Sequence, residues 1–180
     1  MASVVLASFR VWPIFVVALM LFIIMFFFHR DPDRSPAGEG VLAPADGVVL
    51  MSSPEKIVIF MNHYNVHVNR SPVDGRVKQV EHRFGGHAPA CYPSASKNEK
   101  NLVILKSPDG EIKLWQITGF LVRRIICYVE PGDWVKRGER IGMIRFGSRV
   151  EFNLPEKYKL TVKCGDRVRA GETVVAVKET

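Results

Sequence analysis

Three residue types in this chain could together perform acid–base chemistry on a serine. Ser148 follows a glycine in "RFGSRV", His67 lies in "NVHVNR", and Asp46 and Asp74 each precede a glycine. A neutral imidazole can take the proton of a serine hydroxyl, and a carboxylate can hold that imidazole in the required tautomer. Spacing does not choose between the two aspartates, because Asp-Gly is also a common turn pair. Acid–base chemistry with Ser148 as nucleophile and His67 as base is therefore one hypothesis that these residues offer.

A metal site is the alternative use of the histidines. His63 and His67 would share one face of a strand or of a helix. No third Asp, Glu, His or Cys lies nearby at a recognisable ligand spacing. We therefore predict no metal, and a zinc hydrolase remains the weaker hypothesis. Either histidine could also be a half-buried strand residue.

The position of Ser148 raises a second question. In "GMIRFGSRVEFNLP" apolar residues alternate with polar ones on both sides of Gly147-Ser148, a pattern typical of a β-strand. Glycine inside such a pattern usually marks a tight turn or a bulge. The other interpretation is that the bond before the serine is cut. The dipeptide alone leaves both interpretations open.

Composition and the N-terminal residues indicate a membrane. The chain has 180 residues and a formal net charge of +7, which favours an anionic partner, either nucleic acid or acidic lipid. Residues 11–28 form an uncharged apolar run, long enough to cross a hydrocarbon core as a helix. A cleaved signal peptide is the alternative, but no small-residue cleavage pattern follows the run. We predict a retained membrane anchor over residues 1–28, and no nucleic-acid partner.

The remaining organisation follows from composition. Residues 29–40, "HRDPDRSPAGEG", are rich in Pro, Gly and charge and are predicted to be a linker. One globular domain is then expected over residues 41–180. Lys and Arg are slightly more frequent after the apolar run than before it, which orients the domain towards the cytoplasm.

Two internal similarities predict the fold class. "APADGVV" resembles "SPVDGRV", and "PGDWVKRGERIGMI" resembles "CGDRVRAGETVVAV", with alternating apolar residues that suggest a β-hairpin in each longer copy. Short strands with frequent turns indicate a mainly β fold. The motifs are similar to those of biotinyl and lipoyl carrier domains, which implies a barrel-sandwich-hybrid-like domain of two related halves. No turn holds the lysine that a carrier needs, so carrier function is not predicted.

Several of these motifs together resemble one enzyme family. "APADG", "NVHVNRSPVDGRV", "SKNEKN" and "ITGFLVRRIICYVEPGDWVKRGERIGMIRFGSRVEFNLP" resemble the short form of phosphatidylserine decarboxylase proenzymes, including the archaeal version for archaetidylserine. The resemblance extends from about Leu42 to the C-terminus, and the motifs occur in the same order.

The resemblance implies that the chain matures by cutting itself. Ser148 would attack the carbonyl of Gly147, and elimination and hydrolysis would leave a pyruvoyl group, the covalent cofactor, at the new N-terminus. The products would be a β chain, residues 1–147, and an α chain, residues 148–180. They would remain together as a heterodimer, and higher assembly is left open.

The resemblance also assigns the other site residues. The base of the family's V-H motif corresponds to His67, and its P-A-D-G aspartate corresponds to Asp46 and not to Asp74. Asp46 would then orient His67. The proton donor for the decarboxylation stays open between His67 itself, Tyr64 and His63.

The implied activity is decarboxylation of a serine phospholipid at a membrane. The pyruvoyl group would form a Schiff base with the substrate amine and would withdraw electrons as CO₂ leaves, which yields an ethanolamine lipid. The substrate would be phosphatidylserine or archaetidylserine. The alternative is a membrane-anchored, lipoyl-like adaptor without activity, although no segment shows the long helical hairpin that such adaptors use.

Overall fold

The computed structural model describes residues 2–120, 124–145 and 147–179. The chain divides into two compact units, Met1–Asp31 and Pro32–Thr180. The first unit contains one helix, α1 (Ala2–Phe28), with Pro13 inside it. Within the residues that are described, no helix combines the length and the hydropathy needed to cross a lipid bilayer. The predicted membrane anchor is therefore not confirmed.

In its described residues, the second unit is built from β-strands and one short 3₁₀ helix at Pro93–Lys97. Alternating apolar residues and frequent Gly-containing turns explain why the strands are short. The strands are β1 (Val41–Leu42), β2 (Gly47–Ser53), β3 (Lys56–Met61), β4 (Val68–Arg70), β5 (Gly75–Arg83), β6 (Lys100–Ser107), β7 (Gly110–Ile117), β8 (Ile125–Cys127), β9 (Trp134–Val135), β10 (Arg140–Ile144), β11 (Ser148–Phe152), β12 (Tyr158–Leu160), β13 (Arg167–Val168) and β14 (Val174–Lys178).

These strands form three antiparallel sheets. The largest has eight strands in the order β13-β2-β3-β11-β7-β6-β5-β9, and the two others have the orders β4-β10-β8 and β1-β14-β12. Strand β11 lies near the middle of the large sheet, where Ser148 is opposite Met61 of β3, and Arg149 is opposite Ile117 of β7. The mainly β class is confirmed, whereas the barrel-sandwich-hybrid assignment stays a prediction.

The core lies on one face of the large sheet. Because side chains alternate along a strand, every second residue of four neighbouring strands faces the same interior. These residues are Ile57, Ile59 and Met61 of β3, Asn101, Val103 and Leu105 of β6, Ile112, Leu114 and Gln116 of β7, and Ser148, Val150 and Phe152 of β11.

The two predicted halves share the same turn contacts. The Asp46 carboxylate accepts a hydrogen bond from the backbone N–H of Ala170 at 2.8 Å, and the Asp74 carboxylate accepts one from Arg137 at 2.8 Å. Each aspartate comes from a D-G motif, and each donor precedes the glycine of a G-D-x-V-x-x-G-E motif. The sequence similarities therefore correspond to repeated local structure.

The predicted hairpins within the two longer copies are wrong. Strand β9 pairs with β5, and β10 pairs with β4 and β8. In the second copy, β13 pairs with β2, and β14 pairs with β1 and β12. The alternation located the strands, but it carries no information about which strand is the partner.

Part of the predicted linker packs on the β-strand unit. Arg34 forms ion pairs with Asp46 at 3.1 Å and with Glu172 at 3.2 Å. The carbonyl oxygens of Gly38 and Gly40 accept hydrogen bonds from the Arg137 guanidinium at 2.7 Å each. The compact unit therefore starts before Val41.

The two turn aspartates should differ in their effect on stability. Asp74→Ala loses one exposed hydrogen bond and should lower the free energy of unfolding by about 1 kcal/mol. Asp46→Ala also breaks an ion pair whose side chains are only 8% and 10% exposed, which should cost about 3 kcal/mol. Urea unfolding measures both, in a Ser148→Ala background in which the self-cleavage implied by the resemblance could not occur. Equal losses would show that the Arg34 pair contributes nothing.

Candidate active site

Ser148 is buried at the first position of the central strand β11. Its side chain is fully buried, and its hydroxyl contacts the Met61 sulfur, with Oγ and Sδ 4.0 Å apart. Gly147 precedes it with a φ of +58°, and a Cβ built there would have no atom within 4 Å. Glycine adopts this left-handed conformation without the steric cost that a side chain would bring.

His67 is held in one tautomer. It is fully buried, and its Nδ1 lies 2.9 Å from the carbonyl oxygen of Asn65. A carbonyl only accepts, so Nδ1 carries the proton and Nε2 is the basic nitrogen. The backbone of His67 is joined to β10, because the Ile144 N–H donates to its carbonyl at 3.2 Å. The chain runs from the end of β10 to Ser148, which brings both residues to the same end of the domain.

The two auxiliary candidates lie at the surface. His63 and Tyr64 are exposed in the loop between β3 and β4, with ring centroids 4.0 Å apart. This segment is neither strand nor helix, so the face-sharing argument for His63 and His67 does not apply. Among the residues that the structure describes, no cluster of three His, Cys, Asp or Glu side chains is suited to a metal ion.

The carboxylate of Asp46 contacts other groups than the predicted partner, His67. Its two carboxylate oxygens contact Arg34 and the backbone N–H of Ala170. The atom that meets Nδ1 of His67 is the Asn65 carbonyl oxygen. The predicted contact by which Asp46 would orient His67 is therefore not among its described contacts, because the Asp-Gly turn places this carboxylate against the turn at residue 170. Asp74 caps the corresponding turn and is exposed.

A buried polar layer that was not predicted from the sequence leads to Met61, which contacts Ser148. Asn69, Asn101 and Gln116 are each at most 3% exposed, and their amides form one hydrogen-bonded chain that ends at Met61. The available signal was their position in the alternation. Gln116 and Asn101 occupy core positions of β7 and β6, where polar residues are unusual.

A second unpredicted cluster lies on the opposite face of the same strand. Arg149 and Glu151 are buried and form an ion pair, and Lys56 Nζ lies 2.7 Å from Glu151. Arg149 also donates to the carbonyl oxygen of Tyr92 at 3.0 Å, which attaches the loop between β5 and β6 to β11. These contacts hold β11 from behind while Ser148 faces the interior.

Comparisons with known proteins identify the family of this chain. The sequence profile of the phosphatidylserine decarboxylase family matches residues 21–176. The chain belongs to the phosphatidylserine decarboxylase family. The named members of this family are carboxy-lyases, so the predicted family and enzyme class are both confirmed.

Individual relatives cover most of the chain. A protein of Methanococcoides burtonii named "Putative archaetidylserine decarboxylase proenzyme" is 44% identical over 94% of this chain and 82% of its own length. A protein of Halobacterium salinarum with the same name is 45% identical over 95% of this chain and 88% of its own length. The phosphatidylserine decarboxylase proenzyme of Thermobifida fusca is 47% identical over 83% of this chain and 71% of its own length. No solved structure matches the chain significantly.

Proposed function

We propose that this chain is a proenzyme that cuts itself between Gly147 and Ser148 and then decarboxylates a serine phospholipid. The observation that carries the proposal is the buried Ser148 at the start of β11, directly after a left-handed glycine, in a chain of the decarboxylase family. The word proenzyme in the names of its relatives agrees with maturation by cleavage.

The first step is an acyl shift from nitrogen to oxygen. Nε2 of His67 takes the hydroxyl proton of Ser148, and Oγ forms a bond to the carbonyl carbon of Gly147. The bond between that carbon and the Ser148 nitrogen then breaks, and the nitrogen receives the proton. The product is an ester between the Gly147 carbonyl and the Ser148 side chain.

The second step is elimination. Loss of the Ser148 Cα proton breaks the bond between Cβ and Oγ, and residues 1–147 leave with a carboxylate. Water then replaces the nitrogen of the remaining dehydroalanine, and ammonia is released. The α chain, residues 148–180, would begin with a pyruvoyl group.

The surroundings of Ser148 suit such a group. A pyruvoyl group replaces the hydroxymethyl side chain with a methyl group, and Met61 offers this methyl an apolar thioether contact. When bound to a substrate amine, the group supplies an electron sink for loss of CO₂. The protein supplies a site from which water is excluded and, at Nε2 of His67, a group that can hold or return a proton.

The strand pairing supports a stable complex of the two chains. Strand β11 would open the α chain, yet it pairs with β3 and β7, which both belong to the β chain. Strands β13 and β14 of the α chain also pair with β2 and β1. Cutting before Ser148 therefore leaves these pairings between strands of the two chains in place. Because Ser148 is fully buried, we expect the new end at Gly147 to move aside and admit the headgroup.

Orientation of His67 is assigned in this proposal to the Asn65 carbonyl. Asp46 keeps the orienting role only as a prediction from the resemblance, since its described contacts are with Arg34 and Ala170. The proton donor stays open between His67, Tyr64 and His63. Both phosphatidylserine and archaetidylserine carry the serine headgroup that the reaction needs, so either lipid fits the proposal.

We also propose that the enzyme works at a membrane, with the β-strand domain on the cytoplasmic side. The uncharged residues 11–28 and the net charge of +7 support association with anionic lipid.

Self-cleavage should be visible directly. Purified protein should separate into two chains on a denaturing gel, and the smaller chain should resist Edman degradation, because a ketone replaces its amino terminus. Ser148→Ala should remain one chain of 180 residues. An active preparation that contains only the uncut chain would contradict the proposal.

Loss of the base should slow this cleavage. His67→Ala should lower its rate on the order of 10²–10⁴-fold, measured by gel after cell-free synthesis. His87→Ala is the matched control, since His87 is exposed on a loop. Equal rates in the two variants would rule out His67 as the base. In the same assay, equal rates for Asp46→Asn and Asp74→Asn would rule out the orienting role of Asp46.

The membrane proposal predicts a split between two substrates. Deletion of residues 1–31 leaves the β-strand unit whole and keeps Arg34. The truncated enzyme should cut itself normally and process a short-chain, water-soluble serine lipid at the full rate, but it should process serine lipid in vesicles several-fold more slowly. Full activity on vesicles would show that the N-terminal segment is not needed at the membrane. Failure of the truncated chain to cut itself would show that this segment is part of the fold.

A further inference from the structure

The buried amides beside Ser148 form a chain with one direction. Nδ2 of Asn101 donates to Oε1 of Gln116 at 3.0 Å, and Nε2 of Gln116 donates to Oδ1 of Asn69 at 2.8 Å. Nδ2 of Asn69 lies 3.8 Å from Sδ of Met61. The nitrogen of each amide thus points to the next group in the direction of Met61.

The thioether fixes this direction. A methionine sulfur has no proton to donate, so the atom of Asn69 that faces it must be the amide nitrogen. The oxygen of Asn69 then faces Gln116, which must present its own nitrogen, and the same reasoning sets Asn101. The reverse orientation would place an amide oxygen against the sulfur and lose the contact.

Burying this hydrogen-bonded chain of amides has an energetic cost. Burying an amide is unfavourable unless it is hydrogen-bonded, whereas a satisfied network is rigid. Strand β10 passes close to Gln116 at Gly142, where a Cβ would lie 2.7 Å from Nε2 of Gln116 and 2.5 Å from the carbonyl oxygen of Ile126. A side chain at residue 142 would displace the Gln116 amide.

The hydrogen-bonded chain of amides leads to the residue that contacts the proposed nucleophile. Sδ of Met61 contacts Asn69 on one side and Oγ of Ser148, at 4.0 Å, on the other. We propose that the amide chain of Asn101, Gln116 and Asn69 positions Met61, and that Met61 in turn sets the side-chain rotamer of Ser148 for attack on the Gly147 carbonyl. The inference rests on the proposed self-cleavage.

A sulfur is suited to this task because it is a weak acceptor. A carboxylate or a carbonyl at this position would hold the hydroxyl proton of Ser148 and compete with the base. The thioether limits the rotamers of Ser148 by contact and leaves the proton to His67. In this step Oγ gains a bond to the Gly147 carbon, the carbon–nitrogen bond breaks, and the proton moves to the Ser148 nitrogen. Met61, Asn69, Gln116 and Asn101 are therefore positioning residues.

The first arm of the test removes the sulfur and keeps the volume. Met61→Leu should slow self-cleavage of the full chain roughly tenfold or more, since small misplacements of a reacting group have effects of this size. Met143→Leu is the matched control, because Met143 is also a buried methionine but lies in β10, whereas the described contact of the Ser148 hydroxyl is with Met61. Melting temperatures of both variants, measured in a Ser148→Ala background, should be similar.

The second arm gives a signature that a purely structural role would not produce. In Gln116→Glu, a protonated carboxyl can still donate to Oδ1 of Asn69, whereas an ionised carboxylate cannot. The hydrogen-bond partners of Gln116 are Asn69 and Asn101, and both are uncharged. Burial raises the pKa of an introduced carboxyl. The cleavage rate of Gln116→Glu, relative to that of the natural chain at the same pH, should therefore fall as the pH rises above the pKa of the introduced carboxyl.

The outcomes separate the two proposals. If the natural chain is never cut, the proposed function fails. If it is cut, and Met61→Leu keeps pace with Met143→Leu, this inference alone is overturned. A folded Gln116→Glu that is slowed equally at every pH also overturns it, and circular dichroism across the same pH range reports folding. If Gln116→Glu does not fold, the comparison of Met61→Leu with Met143→Leu decides.

Discussion

The rest of the structure depends on the position of Ser148 as the first residue of a strand that is hydrogen-bonded on both sides. Strand β11 is held by β3 and β7, while Gly147 lies just outside the ladder in a left-handed conformation. A bond at this boundary can be broken without disturbing the sheet, because every residue of β11 that pairs with β3 or β7 lies after the bond. The new N-terminus would then stay fixed in the interior, where a carbonyl cofactor needs to be.

Burial determines the chemistry of this position. Ser148 and His67 are both fully buried, in surroundings where electrostatic interactions are screened less than they would be in water. The Asn65 carbonyl fixes the histidine tautomer without adding a second charge. The serine hydroxyl contacts the Met61 thioether, and the groups beyond this sulfur are neutral amides. The fold therefore keeps charged groups, such as Arg149 and Glu151, on the opposite face of β11.

The sequence predicted the parts that depend on local pattern. Alternation located strands such as β11, and the D-G and G-D-x-V-x-x-G-E motifs located turns that the structure repeats in both halves. Partner choice was not predictable in this way, because β9 and β10 are adjacent in sequence yet pair with β5, β4 and β8. The polar layer was also missed, although Gln116 continues the alternation of Ile112 and Leu114, because a polar side chain at a core position is unusual. The surroundings of Asp46 were not predictable either, because its partner Arg34 lies in residues 29–40, which the composition predicts to be a linker.

The origin of the oxygen atoms in the two products tests the central claim most directly. Precursor captured from cell-free synthesis can be transferred to H₂¹⁸O, where it completes its cleavage before intact-mass measurement. The account predicts that the chain ending at Gly147 contains no heavy oxygen, because its new carboxylate oxygen comes from the Ser148 hydroxyl. The chain beginning at residue 148 should be lighter than a serine peptide by one ammonia, before any gain of solvent oxygen. Heavy oxygen in the carboxylate of Gly147 would contradict the account, because it would mean that water, and not Ser148, cut the chain.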